Sequence, residues 1–264
     1  MKNDKAFEIA KQAARQAGEF IKSRFLNLKP EEVFKKSKHD LVTSVDRGAE
    51  KIILNLITNN FPNHAILSEE AGKKEKKSDY LWVIDPLDGT TNFFIGNPLF
   101  AVSIALFYKK EVVLSVIHIP VTKQTFSAQK NKGAYLNKTK LSVSHKTELD
   151  GACLAYCFPP KKNGMQWIAK IFPKLVEKAS LMRQFGSASW EVCQVASGKL
   201  DGFFLPYVSS WDVAGGALLV QEAGGKVTNF QGKPWTLNDQ FFLATNGKIH
   251  QELLGILKNS HTQT

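Results

Sequence analysis

The sequence is poor in cysteine, lacks long apolar runs, and contains one long tract with almost no acid. Its three cysteines, Cys153, Cys157 and Cys193, are odd in number and without zinc-ligand spacing. Neither a disulfide framework nor a structural zinc site is expected, and they read as reduced, buried thiols of a cytoplasmic protein. No apolar stretch reaches the ~18–20 residues of a membrane helix, so no membrane partner is expected. The first twenty residues carry Asp4, Glu8 and Glu19 among small apolar side chains, unlike a secretory leader. No repeat, low-complexity tract or linker breaks the 264 residues. That suits one domain over 1–264, with a helix-plus-antiparallel half (1–150) and an alternating α/β half (151–264).

The net charge of +11 is unevenly distributed. From Lys109 to Lys146 there are eight lysines and a single acid, Glu111. Such a tract can steer anionic substrates or touch RNA. It contains no arginine and no recognition motif, so a solvated lysine face on strands and turns is the simpler expectation.

Apolar spacing organises the chain. Phe7, Ala10, Ala14, Ala17, Ile21 and Phe25 recur at three- and four-residue steps, which predicts a first amphipathic helix. A second is expected over Leu41–Asn60, closed by Phe61-Pro62. Ala65–Ser68 and Tyr80–Ile84 read as buried strands, and Ala101–Tyr108, Val112–Ile119 and Thr125–Ala128 as an antiparallel meander. After Gly151, strands at 152–157, 181–184, 202–205 and 241–244 alternate with helices at 164–178, 187–197, 211–223 and 248–258. The sum is an α/β protein with two sheets and helices layered around them.

Carboxylates cluster at the ends of these apolar elements, where an unpaired charge is costly to bury. Asp46 lies early in the second helix, Glu69-Glu70 ends the strand AILS, Asp85 and Asp88 end YLWVI, and Asp212 opens the helix WDVAGGALLVQEAGG. Singly, each has an ordinary explanation as a helix-start acid, a loop charge or a turn former. Together they suggest a hard divalent cation. Within Asp85-Pro86-Leu87-Asp88, proline fixes one φ and offers no N–H, so both carboxylates and the Leu87 carbonyl can aim at one point. Gly89 permits a close turn, and the following N–H groups with the Thr90 hydroxyl can meet a phosphate if a helix starts there. Two magnesium ions about 4 Å apart are the usual arrangement for in-line displacement at phosphorus, so metal-assisted phosphate-ester hydrolysis is expected. Phosphatases that attack through an aspartyl nucleophile carry one residue between their two aspartates. Here Pro86 and Leu87 intervene, which favours metal ligation and direct attack by water.

DPLDGTTNF and WDVAGGALLVQEAGG, preceded by DLVTSVD and SEEAG and followed by Ala244-Thr245-Asn246, resemble the inositol monophosphatase family over nearly the whole chain. The likeness is strongest to its bacterial extragenic suppressor members. The resemblance implies a layered α/β/α/β/α sandwich of the sugar-phosphatase type shared with fructose-1,6-bisphosphatase. It also implies a homodimer and a magnesium-dependent, lithium-sensitive hydrolase, with inositol 1-phosphate the family's default substrate. By position, Glu69, Asp85 and the Leu87 carbonyl would hold one magnesium, and Asp85, Asp88 and Asp212 a second, which would stabilise the leaving alkoxide. Glu69 could share a third ion through water. Thr90, with Glu69 or Asp46, would orient the attacking water. Asp88, Gly89, Thr90 and Thr91 would meet the substrate at its phosphate side, and Gly186, Ser187 and Ala188 at its ring. One position departs: Leu205 stands where the family places a glutamate that contacts ring hydroxyls. That keeps fructose 1,6-bisphosphate, adenosine 3′,5′-bisphosphate and NADP in view as substrates. Some bacterial relatives act as RNA- or transcription-associated factors, which makes a weak RNA or transcription-complex contact the expectation of another class.

Overall fold

A computed structural model describes residues 2–27, 33–37, 40–159, 162–179 and 181–258. The chain opens with α1 (Lys2–Arg24), whose Ala6, Ala10, Ala13, Ala14, Ala17 and Ile21 are all buried. A stripe of small side chains lets this helix lie close against its neighbours. A two-stranded ribbon follows, β1 (Val33–Ser37) antiparallel to β2 (Asp40–Thr43), and then α2 (Ser44–Asn60). The second helix therefore starts three residues later than the sequence pattern suggests. Leu41, Val42 and Val45 extend a plausible apolar stripe, but Thr43 takes extended φ −115, ψ 165 and caps the helix. Its hydroxyl oxygen accepts from Val45 N at 3.1 Å, and Asp46 Oδ2 accepts from Thr43 N at 2.8 Å. This reciprocal capping box, worth about 1 kcal/mol, overrides the stripe.

The larger sheet contains β3 (Ala65–Ser68), β4 (Gly72–Lys74), β5 (Tyr80–Asp88), β6 (Ala101–Tyr108), β7 (Glu111–Ile119), β8 (Gln124–Gln129), β9 (Ala134–Leu136) and β10 (Thr139–Lys140). Its order is β10-β9-β8-β7-β6-β5-β3-β4, with β3 parallel to β5 and the meander antiparallel as expected. A single helical turn, α3 (Thr90–Phe94), follows β5. The smaller sheet, in the order β12-β11-β13-β15-β14, joins β11 (Cys153–Tyr156), β12 (Leu181–Arg183), β13 (Gly202–Pro206), β14 (Lys226–Thr228) and β15 (Phe241–Thr245). The helices of this half are α4 (Lys162–Lys178), α5 (Ala188–Ala196), α6 (Ser210–Glu222) and α7 (His250–Lys258).

Strand alternation sorts these elements into five layers. Trp82 and Ile84 of β5, with Val102, Ile104 and Leu106 of β6, pack on α1 and α2. From the opposite face of the same strands, Val83, Ala105 and Phe107 pack on Ala214 of α6. Ala155, Phe203 and Phe242 of the smaller sheet close over α5 and α6 from the other side. Leu154, Phe204 and Leu243 face outward onto α4 and α7. Of the middle helices, sandwiched between two sheets, α6 is apolar all round over Val213 to Val220, which are all buried. They also touch closely, because a Cβ on Gly216 would stand 2.0 Å from Val192 Cγ1. The expected α/β/α/β/α sandwich is the observed fold.

Candidate active site

The DPLD segment sits inside a strand rather than after one. Pairing of β5 with β6 runs from Tyr80↔Tyr108 to Asp85↔Ser103, breaks, and resumes at Asp88↔Ala101. Three steps along β5 thus match two along β6, which is a β-bulge. Without it, Asp85 and Asp88 would point to opposite faces, because side chains alternate along a strand. With it, both share the face of Ser103 and Ala101, turned toward α5 and α6. Leu87 is swung into the core beneath α1 and α2, where it is fully buried. The bulge also explains how proline is tolerated in a strand flanked on both sides, since Pro86 lies where no ladder bond is required. The sequence pattern ended this strand at Ile84 because proline interrupts the apolar run.

Three further elements deliver the other acids: α2, the turn after β3, and α6. Asp46 and Asp212 are both the third helical residue after a hydroxyl cap. Asp46 spends Oδ2 on Thr43, with the hydroxyl at 2.6 Å, and Asp212 Oδ2 accepts from Ser209 N at 3.2 Å. Capping locks each rotamer and leaves Oδ1 turned elsewhere. For Asp46, Oδ1 accepts from the Thr90 hydroxyl at 2.9 Å, and the same hydroxyl lies 3.0 Å from the Leu87 carbonyl. Glu69 follows β3, its N–H donating to Ile84 O at 3.2 Å. The Glu69–Ala71 turn is secured by Glu50 of α2, which accepts from Ala71 N at 2.9 Å, Glu70 N at 3.2 Å and the Ser68 hydroxyl. Asp88 Oδ2 accepts from the Ser187 hydroxyl and from Ser189 N at 2.8 Å, tying β5 to α5.

Gly89 adopts left-handed φ 86, ψ 36 and caps α3. A Cβ there would stand 3.0 Å from the Leu99 carbonyl and 3.1 Å from Ser187 Cβ, so only glycine fits this crossing. Gly186 is also left-handed, and the Asn92 amide beside it donates to Phe185 O and Leu99 O, each at 2.7 Å. Thr91 is exposed and Ala188 buried. Leu205 is 4% exposed in β13, paired with Phe242 and packed into the apolar core around α5 and α6.

Burial pushes the Asp85 carboxyl well above its ordinary range, and Glu69, Asp88, Asp212 and Asp46 push it further in the same direction. Burial likewise raises Asp88 to about 6 against its donors from Ser187 and Ser189. It raises Asp46 too, opposed by Thr43 and Thr90. Among the described residues no three His, Cys, Asp or Glu side chains stand close enough to grip an ion unaided. The donor set nevertheless fits one: it consists of hard oxygens, and four carboxylates crowd a fully buried fifth. Such an accumulation calls for protons or a hard cation. Glu69, Asp85, the Leu87 carbonyl, Asp88 and Asp212 are the residues that could hold it.

Sequence reasoning missed Glu50, Ser189, Asn92 and Glu191. A signal existed for Glu50, four residues after Asp46 and so on the same helix face. Asn92 lay unread within the DGTTN motif. For Glu191, an acid in a short apolar helix was the only hint.

Five layers with oxygen donors gathered at the ends of central elements define a protein of the sugar-phosphatase architecture. The chain belongs to the inositol monophosphatase family, whose sequence profile matches residues 2–262. Among its relatives, the Nus factor SuhB of Pseudomonas aeruginosa is 43% identical over 252 residues, covering 93% of each chain. The crystal structure of extragenic suppressor protein suhB from Bartonella henselae superposes with TM-score 0.90 at 33% identity, covering 96% of this chain and 98% of that one. An inositol monophosphatase from Anabaena superposes with TM-score 0.87 at 32% identity, covering 98% and 97%. Membership supports a phosphatase, in a family that is generally metal-dependent. No helix among the described residues is long and apolar enough to cross a membrane.

Proposed function

We propose that the chain is a magnesium-dependent phosphomonoesterase acting on a small phosphorylated polyol, with inositol 1-phosphate the leading substrate. The observation that carries this reading is the bulge that turns Asp85 and Asp88 to one face, joined there by Glu69, Asp212 and the Asp46–Thr90 pair. Glu69, Asp85 and the Leu87 carbonyl would hold one ion, Asp85, Asp88 and Asp212 a second, and Glu69 would share a third through water. Bound magnesium supplies charge compensation for the phosphate and for the leaving oxygen.

The chain's own residues do the rest. The Thr90 hydroxyl directs its proton toward Asp46 Oδ1, so its lone pairs remain to accept from a water and aim that water at phosphorus. As the water attacks, Thr90 can take its proton and pass its own to Asp46. Burial, which raises the proton affinity of Asp46, suits it to that role. Thr43 holds Asp46 through both N–H and hydroxyl, fixing the relay. The left-handed Gly89 caps α3, and its own and the Thr90 backbone N–H groups would receive the phosphate.

Substrate choice turns on what replaces the absent glutamate. Leu205 is buried and apolar, so it cannot accept from a ring hydroxyl, a contact worth roughly 1.5–3 kcal/mol when charged. Fructose 1,6-bisphosphate, adenosine 3′,5′-bisphosphate and NADP therefore belong in the test beside inositol 1-phosphate. Phosphate release is measured for each with magnesium, with and without lithium. Release from at least one, abolished by Asp88→Asn, is expected. No release from any, or parental release by Asp88→Asn, overturns the reading.

A second reading draws on the Nus factor names of the relatives and on the lysine-bearing turns between residues 109 and 146. It predicts a salt-dependent mobility shift of labelled RNA at micromolar protein. Absence of any shift at low salt removes it.

A further inference from the structure

A second buried acid lies behind the cluster. Glu191 is fully buried in the first turn of α5. Its Oε1 accepts from Phe185 N at 2.5 Å and its Oε2 contacts Cys157 Sγ at 2.9 Å, with the Gly186 N–H also directed at the carboxyl. One side chain thus fastens the end of β11, the 185–186 turn and the start of α5.

The residues that follow this turn are the ones that grip Asp88. Ser187 caps α5, its hydroxyl oxygen accepting from Trp190 N at 3.3 Å, while that hydroxyl and Ser189 N both reach Asp88 Oδ2. Asn92 pins the same turn from the DGTTN side through Phe185 O. Apart from this amide and Glu191, the structure gives the 185–186 turn no other side-chain hydrogen bond among the described residues.

We propose that Glu191 is a positioning residue for the acid cluster: its buried carboxyl fixes the Phe185–Ser189 segment, and through Ser187 and Ser189 it sets where the Asp88 carboxylate points. The alternative is a locally stabilising polar contact with no influence on Asp88. The two differ in what a neutral replacement does. Truncation strips the Phe185 and Gly186 N–H groups of their acceptor. The turn then relaxes, and Asp88 loses the alignment its serine partners enforce.

The inference rests on the reading of Asp88 as a metal ligand, so its test is built to fail separately. Magnesium affinity is measured by calorimetry on the folded chain without substrate, beside kcat and KM, for Asp88→Asn, Glu191→Ala, Glu191→Gln and Cys157→Ser. Glu191→Ala is expected to weaken magnesium binding roughly 10- to 100-fold, the range typical of groups that orient ligands. It should lower kcat more than it raises KM. Glu191→Gln keeps one acceptor and should fall between it and the parent. Cys157→Ser keeps a donor at that position and should bind magnesium as the parent does. If Glu191→Ala does not fold, the Gln variant decides. Parental magnesium affinity and kcat in a folded Glu191 variant, with Asp88→Asn impaired, overturn the positioning role alone. Parental affinity in Asp88→Asn overturns the metal reading beneath it.

Discussion

Two regions of this molecule carry strong charge, and they treat it in opposite ways. At the end of β5, Asp85 is 2% exposed among Glu69, Asp88, Asp212 and Asp46, and all four raise its proton affinity. Along the β6–β10 hairpins, Lys109, Lys110, Lys123, Lys130, Lys132 and Lys138 of the 109–146 tract are exposed at or beside turns. Lys109, Lys110 and Lys123 occupy left-handed turn positions, and Lys130 and Lys132 meet Glu111 at 2.6 Å and Asp4 at 2.9 Å. Water screens the second group almost completely, and exposed pairs of this kind are worth little. The first group has no such relief. Counting charges would make the lysine face the dominant feature, whereas burial makes the acids the chemically significant one.

The sharpest way to break that contrast is to remove one buried acid. Asp85→Asn is expected to reduce turnover by roughly 10³-fold or more, since it withdraws several kcal/mol of charge stabilisation and each 1.4 kcal/mol is tenfold. Intact circular dichroism with near-parental turnover would place the chemistry elsewhere. Next comes the relay. Thr90→Ala should lower kcat by about 10²-fold while leaving KM within a few-fold, because the hydroxyl orients water rather than substrate. An equal loss in both constants would make Thr90 a binding residue instead.

A third effect concerns stability. His250 is fully buried between the Thr228 and Thr245 hydroxyls, and burial lowers its pKa to about 4 from an ordinary 6.5. The unfolded chain therefore binds a proton first as pH falls. The contribution of His250 is intact above about 6.5 and is lost progressively toward about 4. Melting temperatures of the parent should fall more steeply over that window than those of His250→Gln, and identical slopes would refute the assignment. The smallest change is expected on the opposite side of the comparison. Lys123→Ala and Lys138→Ala should each alter stability by less than about 0.5 kcal/mol in urea titrations and leave phosphate release unchanged.

Much of this architecture is legible before any coordinate is known, because periodicity reports burial. The meander, the middle helices and the five clustered acids, Asp46, Glu69, Asp85, Asp88 and Asp212, all follow from apolar spacing and from where charge interrupts it. What stays hidden has identifiable causes. The start of α2 is set by Thr43 and Asp46 bonding each other, a local event that leaves the hydrophobic stripe unchanged. β9, β10 and β14 are two or three residues long, too short to show alternation. Glu50 and Glu191 look like ordinary helical acids in one dimension, and only the layering reveals that both are buried against backbone N–H groups. The same blindness touches Leu205. Its sequence position marks a missing polar contact, while its packing on the α5 and α6 core shows what that strand position provides instead.

The bulge in β5 makes length as binding a constraint as identity. Asp85 and Asp88, three residues apart, share a face because the bulge takes up one residue between them. Deleting Pro86 would preserve both aspartates, the glycine and the threonines, and would set Asp85, Leu87 and Asp88 opposite Ser103, Val102 and Ala101 in regular alternation, with the bulge gone. Asp88 would keep the face of Asp85 and Leu87 the core face, but the irregular backbone around Leu87 would be drawn into a regular ladder. A comparison scoring only which letters survive would judge such a chain nearly intact. In this strand the spacing shapes the backbone between the two aspartates as much as the side chains that flank it.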